Sequence, residues 1–378
     1  MAYSRSQYRP HAHPGNSGAT PVIGYRAPRR PLARRLAAGL RLARGLAQTR
    51  LRHRPFILSH LVTSRCNARC STCLWRDVVA PENELPASTI AWLYREAAAA
   101  GVAQVVIWGG EPTLRPDLPR LVWAARDAGL VVTLISNGWR LHQYWPEMRG
   151  AVDALILSLD DVGPAHDRLR GLPGLYNRLE ELVAGLRRDS DRPRLLVNTV
   201  LSQANKGALR RVAPIAQRWG AGLYFCPMET GQMLAGGFAD QKGELALTPE
   251  WLREAAQLAL DLKAAGYPLL STDRYLHMLM ENPSLSGYVC RTPETILTVG
   301  ADGSVRDCLR RDRPLAFVQD LRAQGQALTH LYDLPRFQEL LTDAPACTVC
   351  NNPDVIETSW LWELRPAMLE KLVRLAAV

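Results

Sequence analysis

The sequence predicts an α/β protein, a parallel sheet with helices packed outside it, on three observations. Short apolar runs begin after Pro55, segments of helical period separate them, and the alternation breaks near residue 285. The runs are residues 56–62 (FILSHLV), 103–108 (AQVVIW), 130–136 (LVVTLIS), 152–159 (VDALILSL), 194–201 (RLLVNTVL) and 222–226 (GLYFC). Their apolar character is nearly continuous, as expected of strands buried on both faces. Stretches such as Ser88–Ala100 and Leu179–Arg188 supply the crossover helices that parallel strands require. Periodicity alone leaves an open wound sheet and a partial barrel equally open.

The flanks differ from this body. Residues 1–30 are rich in Pro, Gly, Ser, Arg and His without a hydrophobic period and are expected to be a disordered basic tail. Residues 31–54 form an Arg-rich amphipathic helix, with Leu32, Leu36, Leu40 and Leu46 on one side and Arg34, Arg41 and Arg44 on the other. Such a helix packs on its own domain with solvated arginines, or meets a membrane surface or a partner. The formal net charge is +10, but residues 1–54 hold twelve Arg and no Asp, Glu or Lys. The remainder therefore carries 46 − 12 = 34 basic against 36 acidic side chains, so the composition of the folded body gives no hint of a nucleic-acid face. No apolar run reaches the length of a spanning helix or a secretory core, and a cytoplasmic protein is expected. Its eight cysteines are then ligands or reactive thiols before they are disulfides.

Cys66, Cys70 and Cys73 follow directly on the first run, at the strand end where α/β folds build their sites. Three thiolates there suit zinc, an iron–sulfur cluster, or no metal at all. Structural zinc takes four closed ligands, whereas a cluster held by three leaves one iron open, which is a catalytic arrangement.

This CNARCSTC loop resembles the CX3CX2C loop of the radical S-adenosylmethionine (radical SAM) superfamily, and further stretches agree in order. Gly109, Gly110, Glu111 and Pro112 are similar to its GGEP motif, Ser136 and Asn137, with Gly138, to its S/TNG element, and Ser158 and Asp160 to its SxD element; Asn198 matches a polar position on the fifth strand. The resemblance covers roughly residues 56–230 and implies a (β/α)6 partial TIM barrel within a core domain of residues 55–284. It also implies that Cys66, Cys70 and Cys73 hold a [4Fe-4S] cluster whose open iron is chelated by S-adenosylmethionine. Gly109, Gly110, Glu111 and Pro112 would receive the methionine ammonium. Ser136, Asn137, Ser158, Asp160 and Asn198 would contact the ribose, the carboxylate or the nucleoside. One electron from the cluster would break the sulfonium carbon–sulfur bond, giving methionine and a 5′-deoxyadenosyl radical that abstracts a substrate hydrogen. An external one-electron reductant, flavodoxin or ferredoxin, is implied with it. The position before Cys73, often aromatic in the family, is Thr72 here, with Trp75 as the nearest replacement.

Beyond residue 285, TILTVG and SVRDC flank Ala301, Asp302 and Gly303 as a hairpin with an Asp-Gly turn. Helices are expected from about 334 and again from about 366 to 377. Cys290, Gly303 and Cys308, with the pair Cys347 and Cys350, resemble the signature of the twitch and SPASM extensions of radical SAM enzymes. That implies a domain of residues 285–378 holding one auxiliary [4Fe-4S] cluster, because Ile356 stands where a further SPASM cysteine would fall. Four thiolates suit a structural zinc equally well. Cys226, at the end of the sixth run, is expected to be a small apolar filler or a substrate contact. The substrate classes that follow are a small molecule of secondary metabolism, a peptide, or a lipid reached at a membrane surface. The non-enzyme alternative is a zinc-stabilised nucleic-acid-binding protein.

Overall fold

The computed structural model describes residues 32–73, 79–228, 244–282, 287–306, 308, 314–347, 350 and 352–377. The basic tail and Trp75 lie outside these residues. Six parallel strands form the body: β1 (Ile57–Thr63), β2 (Gln104–Gly109), β3 (Val131–Ser136), β4 (Ala154–Ser158), β5 (Arg194–Leu201) and β6 (Gly222–Pro227). Each predicted run overlaps one of them, with ends displaced by two residues at most. They stand in the order β6-β5-β4-β3-β2-β1, a sheet that does not close.

Helix α1 (Leu32–Arg52) precedes the sheet, and α2 (Ala87–Ala99), α3 (Leu118–Asp127), α4 (Leu141–Met148), α5 (Gly163–Arg170), α6 (Leu175–Leu186) and α7 (Ala208–Trp219) make the crossovers. On the helix side, Ile107, Leu134 and Leu155 form one fully buried row by register, and Leu157, Val197 and Leu223 another. The opposite side carries a smaller apolar cluster of Ile135, Ile156, Leu196, Tyr224 and Leu270. Burial on both faces explains why these strands show no polar alternation.

The chain continues through α8 (Pro249–Ala264), α9 (Asp273–Glu281) and α10 (Thr292–Thr295) into β7 (Ile296–Val299), β8 (Ser304–Arg306) and β9 (Ala316–Phe317). It ends with α11 (Val318–Ala323), α12 (Pro335–Asp343), α13 (Pro353–Trp362) and α14 (Ala367–Ala377). The predicted hairpin forms as β7 and β8, with Gly303 at φ +83° and Ser304 N donating to Asp302 Oδ1 at 3.0 Å. Strand β7 also pairs in parallel with β1, so the hairpin extends the main sheet to nine strands.

Helix α1 docks by a different face from the leucine side expected of it. Gly45 and Thr49 are buried, and a Cβ on Gly45 would stand 2.6 Å from Ala103 Cβ, so the glycine permits the close approach. Thr49 donates to Glu294 O, and His53 Nδ1 lies 3.0 Å from Glu294 Oε1. Leu36 and Leu40 remain 58% and 72% exposed.

Two buried histidines make stability depend on pH. His60 meets the Tyr94 hydroxyl at 2.9 Å, and burial followed by the Arg115 charge lowers its pKa to about 3. His166, whose Nδ1 accepts from Asp160 N, is lowered to about 3 by burial and then by Arg170. Both are neutral when folded but take up protons near pH 6.5 when unfolded. Their contribution is complete above pH 6.5 and is lost as pH falls toward 3, by about 1.4 kcal/mol per pH unit for each histidine. Urea midpoints should therefore fall from pH 7 to pH 5, and His60→Gln should flatten the slope.

Candidate active site

The site is assembled where the C-terminal ends of β1, β2 and β3 meet α5. The exit of β1 is pinned first: Arg65 makes two hydrogen bonds to Glu84, at 3.0 and 2.9 Å, and Arg115 Nη1 donates to the Val62 and Leu85 carbonyls. The three-cysteine loop is then held from both sides. Amides of Arg69 and Ser71 donate to the Arg170 and Leu169 carbonyls at the end of α5, at 2.8 and 3.1 Å. Gly171, at φ +56°, turns the chain there, where a Cβ would come 2.8 Å from Arg69 Cβ and O. From the other side Gly110 N donates to Thr63 O at 2.7 Å and Glu111 N to Arg65 O at 2.8 Å.

The two glycines serve that second contact. A Cβ on Gly109 would lie 2.1 Å from Thr63 O, and one on Gly110 2.3 Å from Arg65 O, both far inside contact distance. Pro112 opens a 3-10 turn, Pro112–Leu114, whose first amide-bearing residue, Thr113, donates to Glu111.

Glu111 is fully buried and is the hub of the site. Its Oε1 accepts from Thr113 N at 3.1 Å, Thr113 Oγ1 at 2.6 Å and Ser136 Oγ at 2.8 Å, and its Oε2 from Asn137 N at 2.7 Å. Burial raises its pKa and these donors oppose the rise. Asn137 extends the link to the cysteine loop, its Nδ2 donating to Asn67 Oδ1 at 2.9 Å. Thus GGEP, SNG and the cysteine loop form one connected network, within which Ser136 is committed to Glu111 and to the Gly138 amide.

Ser158 and Asn198 stand differently. They pair in register across β4 and β5, Asn198 pairs with Tyr224 on β6, and all three are half-buried on the face opposite the helices. Asn198 Oδ1 is buried without a partner, as are Asn67 Nδ2 and Ser71 Oγ. Cys226 lies two residues further along β6 than Tyr224, on the same face, half-buried, its Sγ 3.3 Å from Pro227 O. Asp160 turns away from this group: Oδ1 accepts from Val200 N at 2.9 Å and Oδ2 lies 2.7 Å from Arg170 Nε. Arg170 Nη1 in turn stands 3.8 Å from Cys70 Sγ.

The three thiols sense one another electrostatically. Burial pushes Cys66 up to about 12, aided by Glu111, Cys70 and Cys73, while Cys70 is raised by burial with Arg170 opposing. Among the described residues no three Cys, His, Asp or Glu side chains stand close enough to hold a metal ion as they are. Protonated thiols have no cation to draw them together, and a bound metal reverses the pKa by displacing the protons. Soft sulfur donors on a pinned loop beside partnerless polar atoms fit a three-thiolate iron–sulfur cluster with a polar ligand.

Cys290 and Cys350 are buried and Cys308 and Cys347 half-buried, all without disulfides. Their elements do meet: Cys290 precedes α10, which packs on α12 and α13, and Cys347 and Cys350 lie between those two helices. Cys308 follows β8, the hairpin partner of β7, against which α10 packs.

Residues 61–201 match the family model described as the Radical SAM superfamily. That segment is similar to a radical SAM domain. The AdoMet-dependent heme synthase of Methanosarcina barkeri is 30% identical over 174 residues, 45% of this chain and 49% of that one. The PqqA peptide cyclase of Ruegeria pomeroyi is 33% identical over 171 residues, 44% and 45% of the two chains. The chain thus spans about half the length of these curated relatives. Streptococcus suis SuiB shares the fold at TM-score 0.61 and 18% identity, over 80% of this chain and 72% of its own. The match over residues 61–201 implies a [4Fe-4S] cluster and S-adenosylmethionine as cofactors of that domain.

Arg170 was not visible as a site residue in the sequence. The only signal pointing to it is Asp160, a carboxylate that folds into the interior and needs a cationic partner.

Proposed function

We propose that Cys66, Cys70 and Cys73 hold a [4Fe-4S] cluster with one open iron, and that the protein cleaves S-adenosylmethionine to modify a small molecule of secondary metabolism by hydrogen abstraction. The loop at the end of β1, pinned by α5 and by GGEP inside the matched segment, carries this reading. When bound, the cluster and S-adenosylmethionine supply a 5′-deoxyadenosyl radical. The chain's part is positioning. Carbonyls of Gly109 and Gly110 and the second lone pair of Glu111 Oε2 would receive the methionine ammonium. Ser158 and Asn198, on the open face, would hold the ribose or nucleoside; Ser136, Asn137 and Asp160 would frame them. The apolar patch of Ile135, Ile156 and Leu196 would keep water from so reactive a species.

Cys290, Cys308, Cys347 and Cys350 would hold an auxiliary cluster that takes the electron left on the substrate, and flavodoxin or ferredoxin would supply the first cluster. The likeness to PqqA peptide cyclase favours a second reading, a peptide substrate. The test is anaerobic: iron-replete protein reduced with dithionite should release 5′-deoxyadenosine from S-adenosylmethionine. Release of none rejects the reading, and zinc at the first loop rejects it independently. Cys290→Ala with Cys347→Ala should lower iron by about half while leaving slow 5′-deoxyadenosine release. Comparing metabolites of strains with and without the gene separates the two substrate classes.

A further inference from the structure

The docking of α1 leaves an outward face that the fold does not use. At 3.6 residues per turn Leu36, Leu40, Ala43, Ala47 and Leu51 fall within about 80° of one another, a stripe about 22 Å long. All five are exposed, Leu51 at 82%. Arg44 borders the stripe and Arg41 and Arg52 lie beyond it on the same flank, all three exposed. Arg50 is used otherwise, donating to Trp362 O and lying 4.8 Å over the Trp362 ring. Exposed leucines carry no structural benefit on a helix already anchored by Gly45 and Thr49, and a stripe of them marks a surface meant to be covered.

We infer that this face of α1 seats the protein on an anionic lipid bilayer, with the leucines in the acyl boundary and the arginines among the headgroups. Charge selects the occupant. Residues 1–54 hold twelve Arg and no acidic side chain, whereas the rest of the chain is nearly balanced, so the positive charge is concentrated at this end. A second copy docking through the same stripe would bring Arg41, Arg44 and Arg52 toward their own equivalents, with no acidic residue of α1 to answer them. An anionic interface answers both the apolar stripe and its cationic border. Among the described residues no helix is long and apolar enough to cross a membrane, so the contact lies in the interface plane.

The test is co-sedimentation of the full chain with phosphatidylcholine vesicles, with and without phosphatidylglycerol, at low and high salt. Binding is expected only with phosphatidylglycerol and should weaken with salt. The triple variant Arg41→Gln, Arg44→Gln and Arg52→Gln should bind about fivefold more weakly per arginine removed. Leu36→Ser, Leu40→Ser and Leu51→Ser together should lose at least about tenfold. Unchanged circular dichroism and iron content would show that these exposed substitutions leave the fold intact. Absence of binding to anionic vesicles overturns the inference, as does equal binding by the leucine variant. A dimer in sedimentation velocity that the leucine variant dissolves assigns the face to a second copy and overturns it as well. None of these readouts depends on S-adenosylmethionine cleavage.

Discussion

Replacing Cys66, Cys70 and Cys73 together by alanine should lower the iron of anaerobically purified protein from about eight to about four atoms per chain and reduce 5′-deoxyadenosine release to background. The fold should survive. Apart from the Ala68 amide on Cys66 Sγ, the loop's backbone is fixed by bonds that use no thiol: Arg69 and Ser71 amides to the end of α5, and the Gly110 and Glu111 amides to the Thr63 and Arg65 carbonyls. The Cys66 and Cys70 thiols are desolvated, so smaller apolar side chains cost little at those positions. Retention of a near-unchanged urea midpoint alongside halved iron is therefore the expected pair of results. Iron that stays at its original level would place the metal elsewhere and remove the proposed chemistry.

The sequence made the sheet legible because strands buried on both faces must be apolar throughout, and each of the six runs could be bounded by its polar ends. It also made the motifs legible as a set in order, since residues 66–73, 109–112, 136–138 and 158–160 all fall at strand ends. Which atoms each motif engages was not legible. Gly109 and Gly110 are expected from the resemblance to admit a ligand, but the space they leave is taken by the carbonyls of Thr63 and Arg65. Glu111 spends both oxygens on neighbouring motifs, a tertiary arrangement that no spacing encodes. Helix α1 defeats pattern reading for a related reason. Its leucines make the stronger periodic signal, yet the face that docks is the one with small residues, because only Gly45 allows Ala103 and Phe56 to come close. The hairpin was legible locally, from its Asp-Gly turn, and its parallel pairing with β1 across more than two hundred residues was not.

Arg170→Gln should make the first cluster harder to reduce. In the proposed reading the guanidinium is a fixed positive charge and N–H donor beside one cluster ligand, with Nη1 3.8 Å from Cys70 Sγ. Burial disfavours its charge, but Asp160 and the Cys70 sulfur outweigh burial and raise its pKa, so it stays protonated throughout the working range. A unit charge about 4 Å away at an effective dielectric of about 20 is worth about 4 kcal/mol. An electron spread over a cluster feels part of that, about 1–3 kcal/mol, which for one electron is about 40–130 mV. The midpoint potential, followed by electron paramagnetic resonance during anaerobic titration, should move more negative by that amount, and S-adenosylmethionine cleavage should slow with a weak reductant more than with a strong one. Removing the arginine alone also strands Asp160 as an unpaired buried carboxylate, which costs about 3–5 kcal/mol. The double variant Asp160→Asn with Arg170→Gln removes that penalty, because two neutral side chains that can still hydrogen-bond replace the ion pair. It should recover stability and show a smaller displacement of the potential than Arg170→Gln alone, because loss of the Asp160 negative charge offsets part of the effect at Cys70. Equal midpoints in wild-type and Arg170→Gln protein, both with full iron, would confine Arg170 to holding the loop through its carbonyl.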